Sequence, residues 1–271
     1  MPELPEVETT RRGIAVCVEG RAIEGLTVRE PRLRWRVPSD LENCVTGQRV
    51  RRIRRRGKYL LFEVDDGALL LHLGMSGSLR IVSPNAPVQK HDHVDLVFEG
   101  ELCLRLTDPR RFGALLWAPT PVEEHWLLRD LGVEPLDAEF SGDYLFERTR
   151  RRRVRIKDLV MNARVVVGVG NIYANEALFR AGIRPGIAAG RITRARCAQL
   201  VAAIKNTLRG AIAAGGTSLR DFVQSDGRPG YFSQQLLVYG RQGQPCRICG
   251  EPLKSARWGQ RATVYCSHCQ P

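Results

Sequence analysis

The alternation of apolar and polar positions changes character three times along the chain. Over residues 3–19, Val7, Ile14 and Val18 recur at helical spacing, Pro5 suits a first turn, and Glu6 and Glu8 sit where the positive end of the helix dipole favours acids. The pattern predicts an amphipathic helix that stops at Gly20. From about 21 to 118 the apolar runs become short and are broken by turn residues. Tyr59–Val64 is followed by Asp65-Asp66-Gly67, then by Ala68–Leu73, Val94–Phe98 and Leu102–Leu106. Strands at this spacing predict an antiparallel sandwich or barrel. A helical regime begins near 120, with helices expected at 123–131, 154–163, 172–182 and 194–214. In the last of these, Leu200, Ile204, Leu208 and Ile212 repeat at spacing four, and Gly215-Gly216 ends it. Residues 216–235 carry turn chemistry, and a cysteine-bearing module closes the chain.

Composition narrows the class. The 271 residues are long for one domain and sufficient for two with a small appendage, and 43% hydrophobic with 26% charged residues is ordinary globular make-up. Apolar runs stay short of the roughly 20 residues that span a bilayer, and the acidic, proline-containing start is not a secretory signal. A cytoplasmic, membrane-free protein is expected. The formal charge of +13 points to a polyanionic partner. Only five of the 42 basic residues are lysines, so each lysine carries more information than each arginine. Basic residues crowd into 49–58 (RVRRIRRRGK) and 148–157 (RTRRRRVRIK), and two such clusters predict a surface that tracks a phosphate backbone. A solvated strand edge is the plainer account of either cluster alone.

Of the eight cysteines, Cys246, Cys249, Cys266 and Cys269 have the spacing C-x2-C-x16-C-x2-C. Two such pairs supply four thiolates, a closed tetrahedral shell for one structural Zn2+ with no open catalytic position. Gly250 and Pro252 after the first pair and Thr263-Val264-Tyr265 before the second suit a zinc-stapled β-hairpin, and the basic residues around it suit a nucleic-acid contact. The other four cysteines read as small core residues. Gly168-Val169-Gly170-Asn171 lacks the third glycine of a dinucleotide loop and fits better as a turn that aims a helix N-terminus at a phosphate. At the other end, removal of Met1 would leave a free Pro2. A secondary amine forms an iminium with an aldehyde directly, and Glu3 and Glu6 lie one turn apart as a pair of proton-handling carboxylates. A plain helix start is the bland reading of the same residues.

Eight blocks taken together overturn that bland reading: PELPEVETTRRG (2–13), RRGKYLLF (55–62), HLGMSGSLR (72–80), KHDHVDL (90–96), TDPRRFG (107–113), GVGNIYANEALF (168–179), SDGRPGYF (225–232) and the C-terminal CRICG…QRATVYCSHC. In them the chain resembles, end to end, the bacterial formamidopyrimidine-DNA glycosylases. The resemblance implies an α+β multidomain fold. Residues 1–120 would form a catalytic β-sandwich with an N-terminal helix. Residues 121–235 would form a helix–two-turns–helix DNA-binding domain whose loop 217–232, anchored by Phe222 and Tyr231, covers the extruded base. Residues 236–271 would form a zinc finger.

It also implies a bifunctional glycosylase and abasic-site lyase that removes oxidised purines from damaged double-stranded DNA. In that scheme Pro2 attacks C1′, Glu3 is the acid, Glu6 helps hold the charge, Lys58 serves β-elimination, and Arg261 is tied to δ-elimination and phosphate binding. Met75, Arg110 and Phe112 would fill the void left by the flipped base, although core packing is the plainer account of Met75 and Phe112. His91, Arg110, Arg152 and Asn171 would contact phosphate or base. Arg stands at 152 where the family often has Lys. The implied protein is a monomer with one structural zinc and no obligate protein partner. The alternatives are the endonuclease VIII-like branch, which prefers oxidised pyrimidines, and a zinc-ribbon DNA-binding protein without chemistry.

Overall fold

The computed structural model describes residues 2–217 and 232–271. The chain divides into two compact units, Met1–Asp130 with Ala214–Ser233, and Leu131–Ala213 with Gln234–Pro271.

The first unit begins with helix α1 (Leu4–Val18), which ends as expected before Gly20 at φ +84°. Eight strands follow: β1 (Ile23–Val28), β2 (Arg52–Arg56), β3 (Tyr59–Glu63), β4 (Gly67–His72), β5 (Ser78–Val82), β6 (Asp92–Phe98), β7 (Leu102–Thr107) and β8 (Ala114–Pro119), with the short helix α2 (Leu41–Val45) after β1. They form two antiparallel sheets, ordered β1-β6-β7-β5 and β2-β3-β4-β8. Ile53, Leu60, Phe62, Leu69 and Leu71 from one sheet share a single core with Leu26, Val94, Leu96, Phe98, Leu104 and Leu106 from the other, and Val7, Ile14 and Val18 of α1 join it. This is the expected sandwich. Within it, Arg105 lies fully buried and pairs through Nε and Nη2 with both oxygens of Asp95, at 2.8 Å each.

In the second unit α3 (Gly142–Thr149) and α5 (Asn171–Arg180) pack on the long α6 (Arg194–Ala213), through Leu200, Ile204, Leu208 and Ala211 on its buried face. The short α4 (Ile156–Val160) precedes α5. The chain ends in the hairpin β9 (Lys254–Trp258)–β10 (Arg261–Tyr265), whose Val264 and Cys266 pack with Phe179 of α5.

Two expectations for this region differ from what is found. Residues 123–131 form no α-helix: one 3-10 turn, Val122–Glu124, is followed by hydrogen-bonded turns in which Leu128 and Arg129 donate to His125 O. The helix α3, whose N-cap Ser141 accepts the amide of Tyr144, was not anticipated. The helix expected at 154–163 is found only as the five residues of α4, Ile156–Val160.

Candidate functional site

In the first unit, helix α1 places the N-terminal acids. Glu3 is the N-cap of α1, and a reciprocal capping box ties it to Glu6: the Glu3 side chain accepts the Glu6 amide, and Glu6 Oε2 accepts the Glu3 amide at 2.8 Å. The other oxygen, Oε1, accepts the Thr217 amide at 2.8 Å. Both glutamates are 2% exposed. Gly216 approaches so closely that a Cβ there would lie 3.3 Å from Glu6 Cγ and Oε1, and its φ of +86° suits only glycine well. The buried Pro2 therefore leads directly into two carboxylates whose positions are fixed by backbone amides. Phe232 donates its amide to Gly216 O at 3.1 Å. The rest of loop 217–232, with Phe222 and Tyr231, lies outside the described residues.

Lys58 occupies the two-residue turn between β2 and β3. Gly57 precedes it at φ +58°, the left-handed first position that a II′ hairpin needs. Beside it stands His72, which the sequence reading missed. Its ring lies 4.9 Å from that of Tyr59. Burial first, then the charges of Lys58 and Arg34, push its pKa down to about 4. His72 Nδ1 accepts the Gly74 amide at 2.9 Å, so the neutral ring carries its proton on Nε2. Its place in HLGMSGS was legible; its lone-pair partner was not.

Met75, Arg110 and Phe112 come together on two adjoining loops. Asp108, fully buried, gathers both: Oδ1 accepts Ser76 Oγ at 2.8 Å and Oδ2 accepts the Gly113 amide at 2.7 Å. Its carbonyl lies 2.8 Å from His93 Nε2, and its amide donates to His91 O at 3.0 Å. A Cβ on Gly74 would fall 2.3 Å from the Phe112 carbonyl carbon, so the loops touch through backbone. Phe112 is 42% exposed with the Arg110 guanidinium 5.0 Å from its ring centroid. A core reading of Phe112 does not fit that exposure, whereas Met75 is half-buried.

In the second unit, Asn171 is the first residue of α5 and Arg261 the first of β10. Asn171 Nδ2 donates to Ala262 O at 3.0 Å, which brings the two together. Lys157, 2% exposed on α4, donates Nζ to the same carbonyl at 2.9 Å and to Thr263 Oγ1 at 2.7 Å. Asn175 Oδ1 accepts the Val264 amide. Three side chains therefore clamp the strand that carries Arg261, and neither Lys157 nor Asn175 was anticipated. Arg152 is exposed on a different loop, where its carbonyl accepts the Gly190 amide.

The four cysteine sulfurs Cys246, Cys249, Cys266 and Cys269 lie within 4.8 Å of one another. A tetrahedral zinc with Zn–S near 2.3 Å requires S···S of about 3.8 Å, and the measured pairs Cys246–Cys269 and Cys249–Cys266 are 3.9 and 3.4 Å. The amides of Ile248 and Cys269 point at the Cys246 and Cys266 sulfurs, as they do for thiolates. The donor set fits one zinc and leaves no position for a substrate.

The first basic run is paired with acids of its own unit. Arg49 pairs with Glu99, Arg51 with Asp65, Arg52 with Glu63, Arg54 with Glu63 and Glu123, and Arg55 with Glu8. Most of it balances internal carboxylates. The run 148–157 is the more open, with Arg151, Arg152 and Arg153 exposed.

A sandwich whose first helix turn orders two buried acids behind a proline, joined in one chain to a helical unit with a four-cysteine finger, is the architecture of a class of DNA glycosylases. Family models match three stretches: the formamidopyrimidine-DNA glycosylase N-terminal domain over residues 1–115, the H2TH domain of the same family over 131–223, and the zinc finger found in FPG and IleRS over 243–271. The formamidopyrimidine-DNA glycosylases of Thioalkalivibrio sulfidiphilus and Methylococcus capsulatus are 62% and 59% identical over 270 residues, covering all of each chain. The crystal structure of Lactococcus lactis FPG bound to a Fapy-dG-containing DNA superposes with a TM-score of 0.92 at 33% identity, covering 99% of both chains. MutM (FPG) of Thermus thermophilus gives 0.89 at 38% identity, covering 99% of this chain and 98% of that one. The chain belongs to the formamidopyrimidine-DNA glycosylase family, whose members are DNA glycosylases and abasic-site lyases of base excision repair. Among the described residues, no helix is long and apolar enough to cross a membrane.

Proposed function

We propose that this chain removes oxidised purines, 8-oxoguanine and formamidopyrimidines, from duplex DNA and then nicks the strand, with Pro2 as nucleophile. The observation that carries this reading is the double amide clamp on Glu6, which holds Glu3 at the start of α1 directly behind Pro2. Once Met1 is removed, a useful fraction of the Pro2 amine is unprotonated, and so nucleophilic, at neutral pH. Its lone pair forms a bond to C1′ as the glycosidic bond breaks; the proton shed by the amine and the one that Glu3 supplies go to the departing base and to the ring oxygen as the sugar opens. The cation that results is an iminium. Glu6 adds a fixed negative charge one turn away and acts on the reaction through Glu3. Loss of a C2′ proton with departure of the 3′ phosphate is β-elimination, in which Lys58 transfers the proton; δ-elimination then releases the 5′ phosphate beside Arg261.

Extrusion of the base leaves a hole that Met75 and Phe112 enter while Arg110 faces the orphaned partner base. His91, Arg152 and Asn171 hold phosphates. Zinc in the finger keeps the Arg261 hairpin folded and supplies no chemistry. The domain limits at 120 and 235, action as a monomer without a protein partner, and a cytoplasmic location belong to the same proposal.

Borohydride reduction on abasic duplex DNA is the test: a covalent adduct is expected with the purified protein, with an intact mass that lacks Met1. Glu3→Gln should bind lesion DNA and fail to release base. Adduct formation by protein that retains Met1, or undiminished excision by the variant, refutes the assignment. Comparing 8-oxoguanine with thymine-glycol duplexes separates this reading from the endonuclease VIII-like one.

A further inference from the structure

Arg55 stands apart from its neighbours in the basic run. In β2, residues 52 and 54 turn to one face, where both bond Glu63 across the sheet. Ile53 and Arg55 turn to the other, which packs on α1. There the Arg55 side chain is only 11% exposed, and Nε donates to Glu8 Oε2 at 3.1 Å. The other arm of the same guanidinium, Nη1, donates to the carbonyl of Gly57 at 3.0 Å. That carbonyl belongs to the peptide that joins Gly57 to Lys58. One planar group therefore connects the helix that starts behind Pro2 to the peptide that carries the turn lysine.

We propose that Arg55, anchored on Glu8, is a positioning residue that sets where the Lys58 turn stands relative to helix α1. The inference rests on the roles given above to Pro2 and Lys58. Three features support it. Glu8 is a firm anchor: burial raises its pKa, but hydrogen bonds from Arg11 and Arg12 and the charges of Arg11 and Arg55 hold it at about 2. The helix is also fixed to the same strand, since Arg11 Nη1 donates to Ile53 O and Glu19 Oε1 accepts the Ile53 amide. The turn is two residues long, so the Gly57 carbonyl moves with the peptide that carries Lys58. Arg55 reaches its two acceptors from two separate nitrogens, Nε and Nη1; a single ammonium nitrogen held on Glu8 keeps the ion pair and gives up the carbonyl.

The substitution Arg55→Lys exploits that difference. It keeps charge, length and the Glu8 pair, so melting temperature and affinity for abasic duplex should stay near wild type. Borohydride trapping should also persist, because Pro2 is untouched. Single-turnover β-elimination should slow by roughly 10–100-fold, the scale of a misplaced catalytic group. Glu8→Gln, which also breaks the Arg11 and Arg12 pairs, should slow β-elimination and lower the melting temperature, and the double variant should eliminate no more slowly than the slower single one, since both break one chain. Wild-type nicking by Arg55→Lys overturns the proposal. So does a parallel fall of trapping, nicking and melting temperature in both variants, which marks a purely structural pair. Failure of the wild type to trap at all would instead refute the Pro2 reading.

Discussion

Replacing Glu176 by Gln is a sharp probe of how the finger is held. Glu176 lies on α5 with no exposed surface, and its carboxylate accepts three consecutive amides, Leu237, Val238 and Tyr239, through four contacts of 2.9–3.1 Å. These residues lead into the finger, where Val238 packs with Phe179, Cys246 and Leu253. Glutamine keeps one acceptor oxygen and turns an NH2 group toward amides that are themselves donors. At least one amide then loses its acceptor in a buried place and a second is shared poorly. Hydrogen bonds to a charged group contribute about 1.5–3 kcal/mol each, so two lost bonds give a destabilisation of roughly 3–6 kcal/mol. For a protein of this length that is a fall in melting temperature on the order of 10 °C. The cysteine cluster is local to the finger, so zinc stoichiometry should persist while affinity for lesion DNA falls. Differential scanning calorimetry, metal analysis and a binding titration measure the three quantities. A melting temperature within about 2 °C of wild type refutes the claim that this carboxylate organises residues 237–239.

Other perturbations bear on separate parts of the molecule. Cys249→Ser should lower bound zinc from one per chain to none and weaken DNA binding; a full complement of zinc would contradict the four-thiolate site. Gly74→Ala puts a Cβ 2.3–2.5 Å from the Phe112 and Gly113 backbone at φ +65°, so a loss of roughly 3 kcal/mol or more is expected on urea unfolding; a native urea midpoint would mean that the two loops move apart freely. His72 is neutral in both folded and unfolded chains above its ordinary pKa near 6.5, but between there and about 4 only the unfolded chain takes up the proton. Stability should therefore decline as pH falls through that window, by up to roughly 3 kcal/mol at its lower end, and His72→Gln should flatten this part of the profile; equal slopes would dismiss the buried ring. With Arg152 and Arg261 on phosphates, log affinity against log salt should slope at about −2 or steeper, and a flat line would deny them that role.

What could be read from sequence follows the distance over which each feature is decided. The finger was legible because its ligands are spaced by short turns, and a C-x2-C pair presents two thiolates whatever the rest of the chain does. Helix α1 and the end of α6 were legible for the same reason, since capping acids, apolar spacing of three and four, and paired glycines act within a turn or two. The acids that pair with the basic run 49–58 were not legible because they are remote: Glu8, Glu63, Glu99 and Glu123 are brought to it only by the sandwich. The positioning residues were hidden in the same way. Asp108 serves Ser76, Lys157 serves Thr263, and Glu176 serves Val238, each across at least 30 residues.

The groups that can meet substrate carry chemistry in their own side chains, so their types and local motifs betray them. The groups that hold them in place are ordinary acids and bases, recognisable only by what they touch. The remote contacts of this chain are accordingly where its still untested functional determinants lie, and Arg55, which looks like one more cation in a cationic stretch, is the case in which the two classes are most easily confused.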